Sequence, residues 1–248
     1  MAQQKTAIIT GSSRGIGRAV AQSLFQSGCN VVINYRKNRE QAEALAIQLN
    51  RMDVPRRAIA VQADVSDRND VESLFAAARE AFGTVDILVN NAGIAQQKLF
   101  TDLTEDDWRT MVGVHLDGVF YCSQQALKEM LPRHSGTILN ISSMWGQVGG
   151  SCEVHYSAVK AAVIGMTKAL AKEVGPSGIT VNCICPGVIE TDMNSALTQS
   201  TRKELAEETP LGVIGTPEDV AAAAVFLTGD GAKFITGQVL GVNGGLVI

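Results

Sequence analysis

Tyr156 and Lys160 are the side chains whose types and spacing most directly suggest chemistry. They stand four residues apart in a stretch with helical periodicity, so both lie on one helix face. A free tyrosine titrates at about pH 10 and is a poor acid at neutral pH, but a nearby lysine ammonium lowers its pKa. Because the chain has three tyrosines and this spacing also arises by chance on helix surfaces, the pair alone is weak evidence.

Ser143 strengthens the prediction that these residues form a site. It lies at the end of the fifth predicted strand, before the helix that carries Tyr156. Its hydroxyl can hydrogen-bond a substrate oxygen on which negative charge develops. The three residues together suit proton transfer to or from an oxygen, and we expect all three to be catalytic.

A glycine-rich run at residues 10–17 follows the first predicted strand and opens the first predicted helix. Its spacing is Gly-x-x-x-Gly-x-Gly, which differs from the Gly-x-Gly-x-x-Gly of the common dinucleotide fingerprint. Glycine is needed where the chain turns tightly and where backbone amides approach a pyrophosphate at a helix N-terminus. A plain tight turn is the alternative, but the position between strand and helix favours phosphate binding. The predicted cofactor contacts are Gly11, Ser13, Arg14, Gly15, Ile16 and Gly17.

The end of the second predicted strand bears on the choice of cofactor. NAD binding favours a carboxylate there, to hold the ribose 2′-hydroxyl. Residues 33–39 contain no acid, and the first carboxylate is Glu40. Tyr35 and Arg36 are predicted contacts, with Arg14 beside them, because guanidinium groups pair well with a 2′-phosphate. A solvated basic helix start is the alternative, but the missing carboxylate favours NADP(H).

Two further loops follow predicted strands and complete the expected cofactor site. Asp64 ends the third strand, where its carboxylate can accept from an adenine amino group or can begin the next helix. Residues 90–93 end the fourth strand, and small residues there let the backbone approach a cofactor. The predicted contacts in these loops are Asp64, Val65, Asn91, Ala92 and Gly93.

The elements that must position these residues are short apolar runs alternating with longer amphipathic stretches. The strand-like runs are continuous rather than alternating, which is typical of strands covered by helices on both faces. The predicted strands are 7–10, 31–35, 59–63, 87–90, 137–141, 179–184 and 238–242, and the predicted helices are 15–27, 38–51, 67–82, 105–132, 155–174 and 217–228. The pattern predicts one α/β domain over residues 1–248, a Rossmann-type doubly wound parallel seven-stranded sheet with helices on both faces.

The segment 186–216 breaks this rhythm after the sixth predicted strand. It is polar and holds two of the six prolines. Ligands bind beyond the carboxyl ends of such strands, so the segment is predicted to be a substrate lid. A plain surface insertion is the alternative.

The composition argues against several kinds of partner. A formal charge of −4 and a pI near 5.4 offer no cationic field, so no nucleic acid is expected. The sequence shows no secretory signal and no apolar run that could span a bilayer. The five cysteines form no Cys-x-x-Cys pair and the three histidines add no metal-ligand spacing, which favours free thiols, no metal and a cytoplasmic location.

An ordered set of motifs resembles the short-chain dehydrogenase/reductase family over the whole chain. The set is Thr10-Gly11-x-x-x-Gly15-x-Gly17, Asn90-Asn91-Ala92-Gly93, Ser143, Tyr156-x-x-x-Lys160, Pro186-Gly187 with Thr191, and Thr236-Gly237-Gln238. The resemblance implies nicotinamide hydride transfer, with Ser143 polarising a carbonyl, Tyr156 giving the proton, and Lys160 lowering its pKa and binding ribose. It places Pro186 and Gly187 in the cofactor site, with Ile189 and Thr191 beside the nicotinamide amide. It also implies a homotetramer formed through the helices near 105–132 and 155–174 and the C-terminal strand.

Within this family the chain most resembles the 3-oxoacyl-(acyl-carrier-protein) reductases of fatty acid biosynthesis. The resemblance lies in residues 89–94 and 178–182 and in Pro210 with Leu211. It implies NADPH-dependent reduction of a 3-oxoacyl thioester to a secondary alcohol, with acyl carrier protein as a partner.

Two departures concern that partner and a nearby loop. Such reductases place arginines for the carrier's acidic helix, whereas this chain has Ser177 before Gly178 and His134 after Arg133. The cations left to serve are Lys128, Arg133 and Lys172. Asn243 stands where relatives often have aspartate, and we interpret it as a local loop change.

His115 is the departure nearest the chemistry, because the family has a catalytic asparagine at this position. That asparagine helps hold a water that resupplies protons behind the lysine. A histidine also donates and accepts hydrogen bonds, but it is bulkier and titrates near neutrality. An active variant is favoured because Ser143, Tyr156 and Lys160 are intact, and a blocked relay is the alternative.

The stretch 143–155 is predicted to line the substrate pocket, since it lies between two catalytic residues. Trp145, Glu153 and His155 make it more polar and aromatic than a fatty acyl chain needs. It resembles the branch of reductases that act on a ketone attached to a modified lysine of elongation factor P, a 5-aminopentanone. Glu153 would then meet an amine, and the alternative is a carboxylate that faces solvent and has no role in binding. A low-activity NADP-binding sensor remains a further alternative, because fold alone does not imply activity.

Overall fold

The computed structural model describes residues 4–194 and 198–248. Seven strands form one sheet in the order β3-β2-β1-β4-β5-β6-β7, and every neighbouring pair is parallel. The strands are β1 (Thr6–Ile9), β2 (Asn30–Tyr35), β3 (Ala58–Gln62), β4 (Ile87–Asn90), β5 (Gly136–Ile141), β6 (Ile179–Pro186) and β7 (Val239–Val242). All seven predicted strands are present, with ends displaced by at most two residues.

The helices of the described residues cover both faces of this sheet. They are α1 (Gly15–Gln26), α2 (Arg39–Asn50), α3 (Arg68–Phe82), α4 (Glu105–Val112), α5 (Gly118–Arg133), α6 (Trp145–Val148), α7 (Val154–Val174), α8 (Gln199–Glu208) and α9 (Pro217–Thr228). One apolar core lies under α1, α2 and α9, and a second lies under α3, α5 and α7. Because both faces are covered, every residue of β1 and β4 is buried, which explains their continuous apolar runs. The predicted doubly wound fold is confirmed.

The strand order reverses between β1 and β4, and this reversal positions the site. The chain moves outward from β1 to β3 and then returns to β4 on the other side of β1. The helices that follow the two strands therefore lie on opposite faces of the sheet, and a crevice opens at the carboxyl ends of the strands. Ligands of doubly wound sheets bind in such crevices.

Three helical features differ from the prediction, and the first is the short helix α6, which was not predicted. The predicted helix 105–132 is interrupted by a π-helical segment, Gly113–Asp117, between α4 and α5. Wide turns of this kind are frequent at functional sites, and this one carries His115. Helix α8 was not predicted because it buries none of its residues and so has no apolar periodicity.

The predicted lid, 186–216, contains α8 and a 3₁₀ turn at Asp192–Asn194. A parallel bridge between Ile189 and Gly215 joins the two ends of the segment. Residues 195–197 lie outside the described residues. Whether the segment moves over a substrate remains a prediction.

Within the described residues, no helix has the length and apolar character needed to cross a membrane. Among the same residues, no three His, Cys, Asp or Glu side chains converge as a metal site would require.

Candidate active site

A cleft of about 520 Å³ opens at the carboxyl ends of the strands. Every residue predicted to bind the cofactor or to act in catalysis lines it. They are Gly11, Ser13, Arg14, Gly15, Ile16, Gly17, Tyr35, Arg36, Asp64, Val65, Asn91, Ala92, Gly93, His115, Ser143, Tyr156, Lys160, Pro186, Gly187, Ile189 and Thr191. We call the part around residues 11–17 and 35–37 the phosphate end, and the part around His115, Ser143, Tyr156 and Lys160 the chemical end.

The glycine loop at the phosphate end is shaped by close packing and by backbone conformation. Gly11 has φ +62°, and a Cβ there would lie 2.8 Å from the Cα of Ala92. Gly15 has φ +55°, which also favours glycine. The loop thus fits closely against the end of β4 and leads directly into α1.

The N-terminus of α1 suits an anion. Arg14 at its N-cap makes no side-chain cap, and the first turn holds no acidic residue. The first backbone N–H groups of a helix have no partner within the helix and carry partial positive charge. An uncapped start with this polarity fits the pyrophosphate of a dinucleotide.

Asn34 is a site residue that the sequence reasoning missed. It is buried at 1% exposure in β2, and its side chain accepts from the Gly11 N–H at 3.0 Å. Its amide also donates to the Ala63 carbonyl at 3.0 Å. It therefore ties the glycine loop to the end of β3. The sequence signal that could have identified Asn34 is a single polar residue within an apolar strand.

Thr10 and Asn91 hold the glycine loop to the end of β4. The Thr10 hydroxyl accepts from the backbone N–H groups of Asn91 and Ala92, each at 2.9 Å. The Asn91 amide donates to the Thr10 carbonyl at 2.9 Å. The two loops that face the crevice are thus fixed to one another.

The basic residues of the phosphate end are paired with acids across the cleft. Arg36 lies 3.1 Å from Asp64, and Arg14 lies 3.7 Å from Asp192 of the predicted lid. The N-cap of α3 is Asp67, so Asp64 is not the residue that begins that helix. Instead, Asp64 accepts from both the N–H and the hydroxyl of Ser66.

Ser143, Tyr156 and Lys160 come together at the chemical end. The Ser143 hydroxyl is close enough to Tyr156 to lower the pKa of the tyrosine, and the Lys160 ammonium lies 5.6 Å from the Tyr156 ring centroid. Lys160 is buried, and its Nζ donates to the Ile141 carbonyl at 2.8 Å. Ser142 holds the backbone of the same lysine, since its hydroxyl donates to the Lys160 carbonyl.

Burial sets the pKa values at the chemical end. It raises the pKa of Tyr156 to about 12, against the lowering effect of the Ser143 hydrogen bond. It lowers the pKa of Lys160 to about 8. The expectation that the lysine leaves Tyr156 with a lowered pKa is therefore wrong for this arrangement, because desolvation outweighs the favourable contacts.

His115 lies against Tyr156 within the π-helical segment. Its ring meets the tyrosine ring edge-on at a centroid distance of 5.3 Å, and its Nε2 lies 2.8 Å from the Ile94 carbonyl. Burial lowers its pKa to about 3, so the expectation that it titrates near neutrality is wrong. A Cβ on Gly93 would lie 2.6 Å from the His115 ring, so the histidine requires glycine there.

The predicted pocket residues between Ser143 and Tyr156 are not in the cleft. Trp145 lines a separate cavity of about 410 Å³ together with Leu205 and Val247. His155 is fully buried, with its Nε2 2.9 Å from the Gln96 Oε1. Glu153 accepts from Gln97, so none of these three side chains lines the cleft itself, and the prediction that the stretch lines a substrate pocket stays a prediction.

Comparisons with known proteins agree with this geometry. A family model described as Enoyl-(Acyl carrier protein) reductase matches residues 11–247. The chain is similar to the 3-oxoacyl-(acyl-carrier-protein) reductase FabG of Staphylococcus aureus, at 41% identity over 99% of both chains. It is also 40% identical to the protein of the same name from Aquifex aeolicus, over 98% of both.

The chain belongs to the short-chain dehydrogenase/reductase family.

A solved member of this family has nearly the same backbone. The short-chain dehydrogenase/reductase from Brucella melitensis, titled glucose/ribitol dehydrogenase, superposes with a TM-score of 0.92 at 37% identity. The match covers 99% of this chain and 98% of that one. The protein is thus an oxidoreductase that acts on carbonyl or hydroxyl groups with a nicotinamide cofactor.

Proposed function

We propose that this reductase uses NADPH to convert the ketone of a 3-oxoacyl thioester into a secondary alcohol. The observation that carries the proposal is the convergence of Ser143, Tyr156 and Lys160 at one end of a single cleft. The other end of that cleft is an uncapped helix N-terminus bordered by arginines. The names of the relatives from Staphylococcus aureus and Aquifex aeolicus support the thioester as the substrate class.

The side chains of the chemical end hold and protonate the substrate oxygen, while bound NADPH supplies the hydride. The hydroxyls of Ser143 and Tyr156 donate hydrogen bonds to the carbonyl oxygen, where negative charge develops. Tyr156 then gives that oxygen its proton. Because burial raises the pKa of Tyr156 to about 12, the hydroxyl is protonated before the reaction, as a proton donor must be.

Lys160 stabilises the phenolate that the proton transfer leaves behind. Its pKa of about 8 keeps most of the ammonium charged at pH 7. The bond to the Ile141 carbonyl fixes the ammonium near the tyrosine ring. A positive charge held there lowers the cost of forming the phenolate in a buried site.

NADP(H) is favoured over NAD(H) by the charges around the ribose position. Arg36, Lys37 and Arg14 line the phosphate end, and no acid lies at the end of β2. Asp64 is nearby, but it is paired with Arg36 and bonded to Ser66. The ion pair of Arg36 is partly exposed, so a 2′-phosphate can replace the carboxylate at little cost.

His115 takes the place of the family asparagine as a neutral group. Its pKa of about 3 keeps it uncharged at physiological pH, and its buried Nδ1 has no protein partner among the described residues. A neutral imidazole of this kind can accept a hydrogen bond from a water. We propose that His115 holds the water that resupplies the proton of Tyr156.

We also propose a homotetramer in the cytoplasm. Phe120 and Leu131 on α5 and Leu240 on the edge strand β7 are exposed apolar side chains on the elements expected to pair. Exposed apolar groups of this kind mark interaction surfaces when they lie together. All five cysteines are free thiols, which fits a reducing compartment.

Acyl carrier protein would bind differently from the sequence expectation. Arg133 is paired with Asp86 and bonded to the Val85 carbonyl, so it serves the fold. Lys128 and Lys172 are exposed but lie toward the ends of α5 and α7. Those ends adjoin the amino ends of β5 and β6, away from the cleft.

A ketone on a modified lysine of elongation factor P is the second candidate substrate. Glu153 favours it, because the charge of this carboxylate acts on Tyr156 and contributes to its raised pKa. A substrate amine near the reacting ketone would meet that negative charge. Trp145 and His155 give this candidate no support, since neither lines the cleft.

A substrate panel with NADPH and NADH tests these proposals. We expect acetoacetyl thioester with NADPH to be reduced fastest among thioesters, small diketones, hydroxysteroids and an aminopentanone-bearing protein. Equal or better affinity for NADH would overturn the cofactor assignment. Reduction of the aminopentanone alone would favour the second substrate, and NADPH binding without any turnover would favour a sensor.

A further inference from the structure

Tyr156 lies in the first turn of a helix that has no side-chain cap. Helix α7 begins at Val154, and the side chain of its N-cap residue, Glu153, makes no cap hydrogen bond. The first turn also lacks an acidic residue. Because uncapped helix ends have unpaired N–H groups and fray, the hydroxyl of Tyr156 needs another anchor.

The neighbouring residue, His155, connects the start of α7 to the loop after β4. It is 0% exposed, and its Nε2 lies 2.9 Å from the Oε1 of Gln96, in the loop after β4. The Gln96 amide donates to the Asp107 carboxylate at 2.6 Å. Asp107 also accepts from Lys98 at 2.6 Å and closes the capping box of α4 with Thr104.

The charge of Asp107 fixes the direction of every hydrogen bond in this chain of contacts. Hydrogen bonds from Lys98 and Gln96 hold the pKa of Asp107 well below its usual range, so the carboxylate accepts and does not donate. The amide nitrogen of Gln96 must therefore face Asp107, and its oxygen must face His155. It follows that the Nε2 of His155 carries the proton in the neutral ring, and that its buried Nδ1, which has no protein partner among the described residues, is then an acceptor.

The same loop also holds the backbone just before α7. The Lys98 N–H donates to the Cys152 carbonyl at 2.8 Å. The Gly150 N–H donates to the Ser157 hydroxyl at 3.0 Å, which closes the turn from the other side. The start of α7 is thus fixed by tertiary contacts instead of a cap.

We propose that His155 is a positioning residue for Tyr156, acting through its hydrogen bond to Gln96 and, through Gln96, on the Asp107 carboxylate. The inference rests on the proposed role of Tyr156 as proton donor. His155 touches neither substrate nor cofactor, since it does not line the cleft. Its effect is to hold the tyrosine hydroxyl at the distance that proton transfer requires, where small displacements cost large factors in rate.

Kinetics of three variants test the proposal. His155→Phe keeps a ring without the bond, Gln96→Met removes both bonds of the glutamine, and the double variant removes the whole connection. We expect kcat for acetoacetyl thioester to fall about ten-fold in each, with no further loss in the double variant, because the residues act as one unit. The KM and the Kd for NADPH should stay within about two-fold of the wild type. His155→Asn retains an N–H donor and should recover about half of the lost kcat.

A matched control is available in the same loop. Gln97 is exposed and bonds Glu153 rather than His155, so Gln97→Met should leave kcat unchanged. An unchanged kcat in Gln96→Met would overturn the proposal, as would multiplying losses in the double variant. A parallel fall in NADPH affinity would also overturn it, since it would indicate a general structural role.

A spectroscopic measurement separates this inference from the proposed function. Nitrogen NMR of the wild type should show His155 protonated at Nε2 and bare at Nδ1, and Gln96→Met should change that pattern. The opposite tautomer in the wild type would overturn the proposed connection whether or not any ketone is reduced. If the wild type reduces no ketone but has the expected tautomer, the proposed function fails while the hydrogen-bond geometry stands.

Discussion

Charged side chains are arranged differently at the two ends of the cleft. At the phosphate end, Arg36 and Arg14 are 48% and 58% exposed and pair with acids that are also accessible to solvent. At the chemical end, Lys160 and His115 are 5% and 2% exposed, and their polar contacts are to backbone groups of Ile141 and Ile94. The first end can exchange its partners with a ligand, while the second is fixed before any ligand arrives.

This difference in exposure determines which side chains have shifted pKa values. The large shifts at the site belong to Tyr156, Lys160 and His115, and burial is the leading cause of each. Exposed ion pairs are weak and screened by solvent, so the phosphate end can bind through charge alone. Buried neutral groups instead provide a fixed environment in which small changes of charge cost much energy.

Removal of the Tyr156 hydroxyl is the strongest test of this contrast. Tyr156→Phe removes the proton donor at the fixed end but leaves the exposed end untouched. We expect kcat to fall by about 10³-fold with NADPH, within the range for lost general acid catalysis. The Kd for NADPH, measured by fluorescence titration, should change by less than about three-fold. Retained turnover would mean that another group gives the proton.

The contrast also explains how much of the site could be predicted from the sequence. Motif order and residue type identified the cleft lining, because the carboxyl ends of parallel strands meet at one edge. The burial of each side chain could not be predicted from the sequence in the same way. The expected pKa directions of Tyr156 and His115 were wrong because the desolvation of each side chain depends on packing from distant elements.

The prediction of strands and helices from the sequence has the same limit. Continuous apolar runs predicted all seven strands, since buried parallel strands need them. Helix α8 was missed because it buries no residue, and the π-helical segment at Gly113–Asp117 was missed because its apolar pattern continues that of the flanking helices. Asn34 was overlooked because its hydrogen bonds to Gly11 and Ala63 join strand β2 to two loops that are distant in sequence.

Ser143 provides the second test at the chemical end. Ser143→Ala removes one hydrogen-bond donor to the developing oxyanion and leaves Tyr156 in place. We expect kcat to fall by about 10²-fold, as for other lost oxyanion donors. Steady-state kinetics would measure this fall, and a loss confined to KM would contradict the assigned role.

The burial of His115 should also make the free energy of unfolding depend on pH. Its folded-state pKa of about 3 lies below the ordinary value of about 6.5, so between these pH values the unfolded chain binds a proton that the folded chain does not. The stabilising effect is complete above about pH 6.5 and is lost as the pH falls toward 3. We expect the free energy of unfolding to fall by about 2 kcal/mol more in the wild type than in His115→Asn between pH 7 and pH 5. Urea denaturation at the two pH values checks this.

The same variant tests whether His115 supports or blocks turnover. If the imidazole holds a water for the proton relay, His115→Asn should change kcat by less than about ten-fold, because asparagine can hold the same water. A large rise in kcat would instead mean that the histidine obstructs the relay. An equal pH dependence of stability in both proteins would contradict the buried, neutral state of the ring.

Arg36 gives the smallest expected effect and tests the exposed end. Arg36→Ala removes a guanidinium from the ribose position, and we expect NADPH to bind about ten-fold more weakly while NADH is unaffected, as for one lost charge-assisted contact. Arg51→Ala is the matched control, because Arg51 is an exposed arginine of the same part of the chain that does not line the cleft. Raising the salt concentration should weaken NADPH binding in the wild type more than in Arg36→Ala, since the exposed charge is screened. If the two cofactors lost affinity equally, Arg36 would be contributing to the shape of the phosphate end and not to the recognition of a 2′-phosphate.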